Sequence, residues 1–396
     1  MHRHRRSFST AFCAALLAIA VTASSTLGLT WGAITTLSDV ATANAWAYGM
    51  VASGSRIFTA YRELDADGRH IAFRASIDGG ATFTASVEIS RPEATDSYQS
   101  ALAYSGGVLH AVWLEGDVSL TSSVELYSRS TDDGATWSVP VAVTPDTVTS
   151  ASSSRVFASG SRVFLAYTDG VTGQVYLIRS TDAGLTFGAR RQIATTSYEG
   201  FSTGTDFDGK VSMAFGTGVT YVAFRTAARV IRVRRSTDGG TTWKAAVTID
   251  SRTGSDPIVT AAGASAIISY SYYDSTHREY AAIRRTTTKG VAWLARQKLS
   301  IGTTAYSNDT WVLRANSRWH VVYTRCVSPC DVVALWYRSS TNGITWSTPQ
   351  RFAPPNAGVW PVGFAATSVP KRVWVAWDSM DASGDSDFTV MLRPGG

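Results

Sequence analysis

The sequence predicts an all-β fold, a seven-bladed β-propeller of four-stranded antiparallel blades. Three observations carry that expectation: an eight-residue phrase that returns at a near-constant interval, two β-rich strands that recur between its copies, and no segment with a helical period. The phrase is clearest as STDDGATW from Ser130 and STDGGTTW from Ser236, and it returns as SIDGGATF from Ser76 and STDAGLTF from Ser180. Looser copies begin at Ser24 (SSTLGLTW), Thr286 (TTTKGVAW) and Ser339 (SSTNGITW). Starts at 24, 76, 130, 180, 236, 286 and 339 give intervals of 50 to 56 residues. A fixed period of that size marks a repeat architecture.

The phrase reads as a turn between strands. The carboxylates of Asp78, Asp132, Asp182 and Asp238 can accept from backbone N–H groups just ahead of them, and the glycine supplies a positive φ. Thr26, Thr288 and Thr341 stand at the aspartate position in the looser copies, since a hydroxyl makes the same bond more weakly. The aromatic that ends the phrase is expected to pack into the core. These aspartates are therefore structural.

Each interval contains two further recurrent strands. The first reads RIFTAY from Arg56, VLHAVW from Val108, RVFLAY from Arg162, VTYVAF from Val219 and RVWVAW from Arg372. The second runs into the turn, as in VELYSRS and VIRVRRS. Both are rich in β-branched and aromatic residues and alternate in polarity. With one strand before and one after, each unit has four. The last unit, ending in FTVMLRPGG, has no turn phrase, while the chain start supplies a turn and one strand with nothing before them. Pairing that N-terminal strand with the C-terminal blade would close the ring and leave no open edge. His110 and His320 occupy the place filled elsewhere by Phe58, Phe164, Tyr221 and Trp374, and are read as packing residues.

Residues 1–23 combine a basic start, a short apolar run and small residues at Val21 and Ala23, the pattern of a signal peptide, so a secreted, extracellular protein is expected, with residues 24–396 as one domain. Arg5, Arg6 and Phe8 leave the twin-arginine export route open beside the general one. No segment is long and apolar enough for a membrane-spanning helix. Cleavage after Ala23 removes three arginines and no acid, which lowers the net charge from +6 to +3. With no basic run and no zinc spacing, nucleic acid is not an expected partner. Charged residues are 17% of the chain, below the usual value of about 25%. Cys326 and Cys330, the two cysteines of the mature chain, are expected to form a disulfide in an oxidising compartment, a metal site being the alternative.

These repeats resemble the Asp-box, or BNR, repeat of sialidase-like β-propellers, on the copies from Ser76, Ser130, Ser180 and Ser236 above all. The resemblance spans the mature chain and implies boxes on the blade periphery, far from a central site. It implies no single reaction, since the superfamily holds sialidases, other glycosidases, lectins and assembly factors. A sialidase's Arg-Ile-Pro is absent, SRIF at Ser55 being the nearest string, so no catalytic residue is carried over.

Ligands of propellers sit over the channel, reached by the connections into each innermost strand, and those connections break the repeat. They present Trp46, Tyr98, Tyr198, Tyr306 and Trp360 as faces for a sugar, and Asp256 and Asp309 as partners for hydroxyls. Asp96 and Glu199 are the candidate acid pair, with Glu199 beside Tyr198 in the longest connection. No cofactor is expected. Calcium is open at ELDADG from Glu63 and DSMDASGDSD from Asp378, although Arg74 stands where an EF-hand needs its bidentate glutamate. GTDFDGKV from Gly204 mimics a phosphate loop, but Val211 replaces its Ser or Thr. The expected function is binding of a carbohydrate, such as a cell-surface glycan, or another extracellular ligand by a monomer. The alternative is a glycoside hydrolase of sialidase-like type with a non-standard active site.

Overall fold

The computed structural model describes residues 29–38, 46–65, 68–91, 96–116, 123–144, 151–169, 172–195, 211–300, 305–307, 309–327, 333–352, 359–379 and 389–395. Among them every regular element is a β-strand. A short strand, β1 (Thr35–Thr36), comes first. Six blades follow along the chain. The first is β2 (Trp46–Ser53), β3 (Arg56–Asp65), β4 (Gly68–Ser76) and β5 (Val87–Glu88). The second is β6 (Ser97–Ser105), β7 (Val108–Gly116), β8 (Ser123–Ser130) and β9 (Val141–Ala142). The third is β10 (Ala151–Ser159), β11 (Arg162–Asp169), β12 (Gln174–Ser180) and β13 (Arg191–Thr195). The fourth is β14 (Val211–Gly216), β15 (Val219–Arg225), β16 (Ile231–Ser236) and β17 (Val247–Asp250). The fifth is β18 (Gly254–Ala262), β19 (Ser265–Tyr273), β20 (Glu279–Thr286) and β21 (Gln297–Lys298). The sixth is β22 (Ala305–Tyr306), β23 (Trp311–Ala315), β24 (Arg318–Val327), β25 (Val333–Ser340) and β26 (Gln350–Arg351). Finally β27 (Val359–Ser368), β28 (Lys371–Ser379) and β29 (Thr389–Gly395) join β1 in a sheet ordered β1-β29-β28-β27, with Thr35 opposite Leu392 and Thr36 opposite Met391.

This corrects the expectation of a seven-bladed propeller of four-stranded blades. The structure has six blades of contiguous chain, and the remaining sheet is a composite of the two chain ends. The sixth blade has five strands, because the segment from Ser307 to Thr310 divides its innermost strand into β22 and β23. The innermost strands pack in a ring, β2 on β6, then β10, β14, β18, β23 and β27, and β27 packs back on β2.

The core lies between blades. Tyr127, Leu114 and Val112 of the second blade pack on Val163, Leu165 and Tyr167 of the third, and Tyr61 and Ile57 of the first on Trp374 of the composite sheet. Alternation along each strand sends one set of side chains to each neighbour, so the middle strands are apolar on both faces. His110 and His320 are buried here. Burial lowers both imidazole pKa values to about 4.

The repeated turn is held by one constellation. Ser130 Oγ donates to Asp132 Oδ1 at 2.7 Å, Thr136 N to the same oxygen at 2.9 Å, and Thr136 Oγ1 to Oδ2 at 2.5 Å. Asp78, Asp182 and Asp238 accept the same set from their own turns. These donors favour the charged form, which holds all four carboxyls below the ordinary range, Asp132 at about 2. Gly134 has φ +90°, and a Cβ there would lie 2.2 Å from the Phe73 ring of the preceding blade. The turn therefore needs glycine both for its backbone and for this contact.

In the sixth blade the turn is shifted by one residue from its expected alignment. Asn342, not Thr341, accepts from Ile344 N and Thr345 N, each at 2.8 Å, and Ser340 is the serine that bonds it. The amide oxygen accepts two backbone bonds in the role that the hydroxyl of Thr288 fills in the fifth blade, where Ala292 N donates to it at 2.9 Å.

Candidate functional site

The innermost strands do not run smoothly into the channel mouth. Their register breaks between Ala47 and Gly49, Tyr98 and Ala101, Ser152 and Arg155, Ser255 and Ile258, and Pro361 and Gly363. Gln99 (φ 52°) and Asp256 (φ 51°) lie inside two of these bulges, and Asp309 (φ 45°) lies at the break between β22 and β23. A bulge re-aims side chains, and a non-glycine residue in left-handed backbone marks stored strain that collects at ligand sites. Both Asp256 and Asp309 belong to the set expected from the sequence.

The other expected residues are placed as follows. Asp96 is buried and accepts from Arg69 Nη1 at 2.8 Å, so it is tied to the first blade by an ion pair. Tyr98 is 4% exposed within the core between the second and third blades, so its ring face is taken by packing and is not a sugar platform. Tyr306 is 38% exposed, on β22. Asp309 Oδ2 accepts from Thr324 Oγ1 at 3.3 Å. Trp46 begins β2 and Trp360 is the second residue of β27. Tyr198 and Glu199 lie outside the described residues, as do residues 1–23 and Cys330; Cys326 is disulfide-bonded.

Around Asp256 the structure assembles groups that the repeat reading passed over. Arg155, on the inner strand of the third blade, is half-buried. Desolvation pushes its pKa down, and the Asp256 carboxylate pushes it up. Arg155 and Asp256 lie on innermost strands of non-adjacent blades, the third and the fifth, and their charges act on one another. Arg155 Nη1 also donates to Ser154 O at 2.9 Å. Beside Asp256, the hydroxyls of Ser255 and Ser271 lie 2.5 Å apart, and Ser271 Oγ donates to the buried Glu279 Oε1 at 2.5 Å. Tyr273 lies directly opposite Glu279 on the neighbouring strand, and its phenol is raised well above its usual range by burial first and then by the Glu279 charge. Arg229 and Asp256 act on the same phenol with opposite signs. Beneath Arg155, Ser154 Oγ donates to Glu125 Oε1 at 2.5 Å, while Glu125 Oε2 has no partner. Burial raises the Glu125 carboxyl to about 8, so it is neutral near pH 7. An arginine in one repeat and an acid in another carry no visible signal of convergence in sequence.

Among the described residues no three His, Cys, Asp or Glu side chains group as a metal site, and no helix is long and apolar enough to cross a membrane. Glu63 and Gly68 of the first acidic string lie on β3 and β4, where Glu63 Oε2 is 3.5 Å from His70 Nε2. Asp378 lies on β28, and 380–388 of the second string are outside the described residues.

No family model and no curated protein sequence matches the chain. Solved structures do. A polysaccharide lyase of family PL25, an ulvan lyase bound to -[GlcA(1-4)Rha3S]-, superposes with a TM-score of 0.60 at 9% identity over 88% of this chain and 93% of that one. The phage phi92 endosialidase gives 0.54 at 10% identity, over 93% of this chain and 69% of that one. The Hadza microbial sialidase Hz136 gives 0.49 at 16% identity over 70% of this chain, which spans 63% of that protein's length. The fold of this chain is a sialidase-like β-propeller.

Proposed function

We propose that this is a secreted propeller that binds an extracellular glycan at its channel mouth, with the repeated turns acting as Asp boxes of purely structural role. The observation that carries the reading is Asp256, an acid held in left-handed backbone on an inner-strand bulge, whose charge acts on Arg155 of a non-adjacent blade. The carboxylate can accept from sugar hydroxyls. The guanidinium offers a planar set of donors to hydroxyls or to a sugar's acidic group. The Ser255–Ser271–Glu279 bonds fix the strand that carries Asp256, which keeps the acceptor in place before a ligand arrives. Tyr306 and Asp309 extend the rim of the same proposed face. The ulvan lyase of the same fold is described with a -[GlcA(1-4)Rha3S]- chain bound, which supports a saccharide as the ligand class.

Glycan-array binding of the purified mature protein tests this. Arg155→Ala and Asp256→Ala should each weaken the best ligand at least about tenfold, the loss of one charge-assisted bond. Unchanged binding in both variants rejects the site. A second reading, glycoside hydrolysis, is favoured by Tyr273 standing opposite Glu279 on the strand next to Asp256. There Glu279 would take the phenolic proton as the Tyr273 oxygen bonds the anomeric carbon and the glycosidic C–O bond breaks, the leaving alcohol taking its proton from water, and water would then release the sugar from the tyrosine. Sugar release from fluorogenic glycosides, abolished by Glu279→Gln, would establish it; no release from any substrate would leave binding alone.

A further inference from the structure

A second cleft lies on the periphery, away from the channel. It has a volume of about 470 Å³ and sits between the turns of the second and third blades. Trp137, Val139, Val141 and Leu185 supply its apolar wall, and Arg129 with the Thr131, Thr136 and Ser138 hydroxyls its polar one. Val139 is 83% and Leu185 68% exposed. Arg129 Nε is buried without a hydrogen-bond partner, as are Arg179 Nε and Arg285 Nε at the same place in other blades.

Comparison with neighbouring blades shows why the space is open. Between the third and fourth blades, Arg179 Nη1 donates to Thr241 Oγ1 at 2.8 Å, and Arg191 donates to Thr241 O. Between the fifth and sixth, Gln297 Nε2 donates to Ile344 O at 2.7 Å. Those bonds stitch one turn to the next. In the cleft, Leu185 stands at the place of Thr241 and Val141 at that of Arg191, so Arg129, the equivalent of Arg179, has no hydroxyl partner there, and the Tyr127 ring edge on Phe187 joins the two blades by an apolar contact instead. Between the fourth and fifth blades, Arg235, Val247 and Val291 repeat this arrangement, but Lys244 and Ala245 replace Ser138 and Val139.

We infer that the cleft between the second and third blades is a second ligand site that takes a short oligosaccharide carrying a carboxylate. The volume falls within the range of about 300–1,000 Å³ common to small-ligand sites and holds a disaccharide. An indole with aliphatic neighbours suits the C–H face of a pyranose, and the Thr and Ser hydroxyls suit its rim. The Arg129 guanidinium has no counterpart of the Thr241 hydroxyl that Arg179 bonds, and a carboxylate is the acceptor that satisfies a guanidinium best.

The test uses the full mature chain carrying Asp256→Ala, which removes the proposed channel site, and isothermal titration with a glucuronic-acid-terminated disaccharide. Binding is expected, together with at least a tenfold loss for the glucose-terminated counterpart. In the same background the double substitution Val141→Arg with Leu185→Thr, which restores the stitch of the next blade pair, should abolish binding with the thermal midpoint unchanged or raised. If that variant does not fold, Arg129→Gln gives the same reading through a tenfold loss of affinity. No binding of the uronyl disaccharide, equal binding of the neutral one, insensitivity to these substitutions, or tighter binding of an acidic tripeptide each overturns the inference.

Discussion

His110 Nδ1 lies 2.7 Å from the Tyr127 hydroxyl, and the pair recurs four blades on, where His320 Nδ1 lies 2.6 Å from the Tyr337 hydroxyl. In both, a histidine on the second strand of a blade meets a tyrosine seventeen residues later on the third. His110 Nε2 has no partner, so protonation would bury a charge with nothing to balance it. These imidazoles belong to the inter-blade core, where the sequence alignment with Phe58 and Phe164 puts them.

Stability should therefore peak near pH 6.5. Each histidine has its pKa lowered from about 6.5 unfolded to about 4 folded, so its contribution is present above 6.5 and lost as pH falls toward 4, up to about 3 kcal/mol each. Glu125 works the other way. Its pKa is raised from 4.5 to about 8, so its contribution is full below 4.5 and lost as pH rises through 8. Between 4.5 and 6.5 two histidines outweigh one glutamate, and above 6.5 the glutamate acts alone. Thermal midpoints measured from pH 4 to 9 check the peak, and Glu125→Gln should flatten the alkaline side and steepen the rise between pH 4.5 and 6.5.

Gly184→Ala should be among the most damaging single-methyl additions. The residue has φ +80°, and a Cβ would sit 1.9 Å from the Tyr127 hydroxyl and 3.3 Å from His110 Nδ1. Left-handed strain plus overpacking gives a loss of roughly 2–4 kcal/mol. Gly160→Ala, also at positive φ but with open space around it, supplies the control and should cost only the backbone share. Equal losses in urea titrations of the two variants would refute the packing argument.

The turn aspartates and the alternating strands were legible because each repeats, and repetition exposes local chemistry such as the Ser130–Asp132–Thr136 bonds. What repeats least was least legible. The bulges around Gln99 and Asp256 share no residue type at the left-handed position. Asp256 and Asp309 were reached through their place in the connections, while Arg155 was not, because its partner is about a hundred residues away on a non-adjacent blade. Tyr98 stands beside one of these bulges, yet its ring packs into the core shared with the third blade, an orientation that sequence alternation does not reveal.

The shifted turn of the sixth blade gives a sharp contrast between adjacent residues. Asn342→Ala removes the acceptor of two backbone N–H groups and should cost about 1 kcal/mol, the usual value of such a cap. Thr341→Ala should stay within about 0.5 kcal/mol, as for other surface changes. Denaturant midpoints in parallel decide it. A larger effect at 341 would restore the alignment that the repeat alone suggests.

Asp256→Asn separates the two roles of that residue. Asparagine tolerates left-handed backbone as well as aspartate does, so φ 51° should be kept and the thermal midpoint should hardly move. The charge acting on Arg155 is lost, however, and with it the acceptor strength offered to a ligand. Affinity for the best array glycan should fall about tenfold, while Asp256→Val, which cannot adopt this backbone without strain, should lose stability as well. A melting curve and a binding isotherm on each variant suffice. Should Asp256→Asn bind normally, the carboxylate's charge has no part in recognition and the bulge is only a feature of the scaffold.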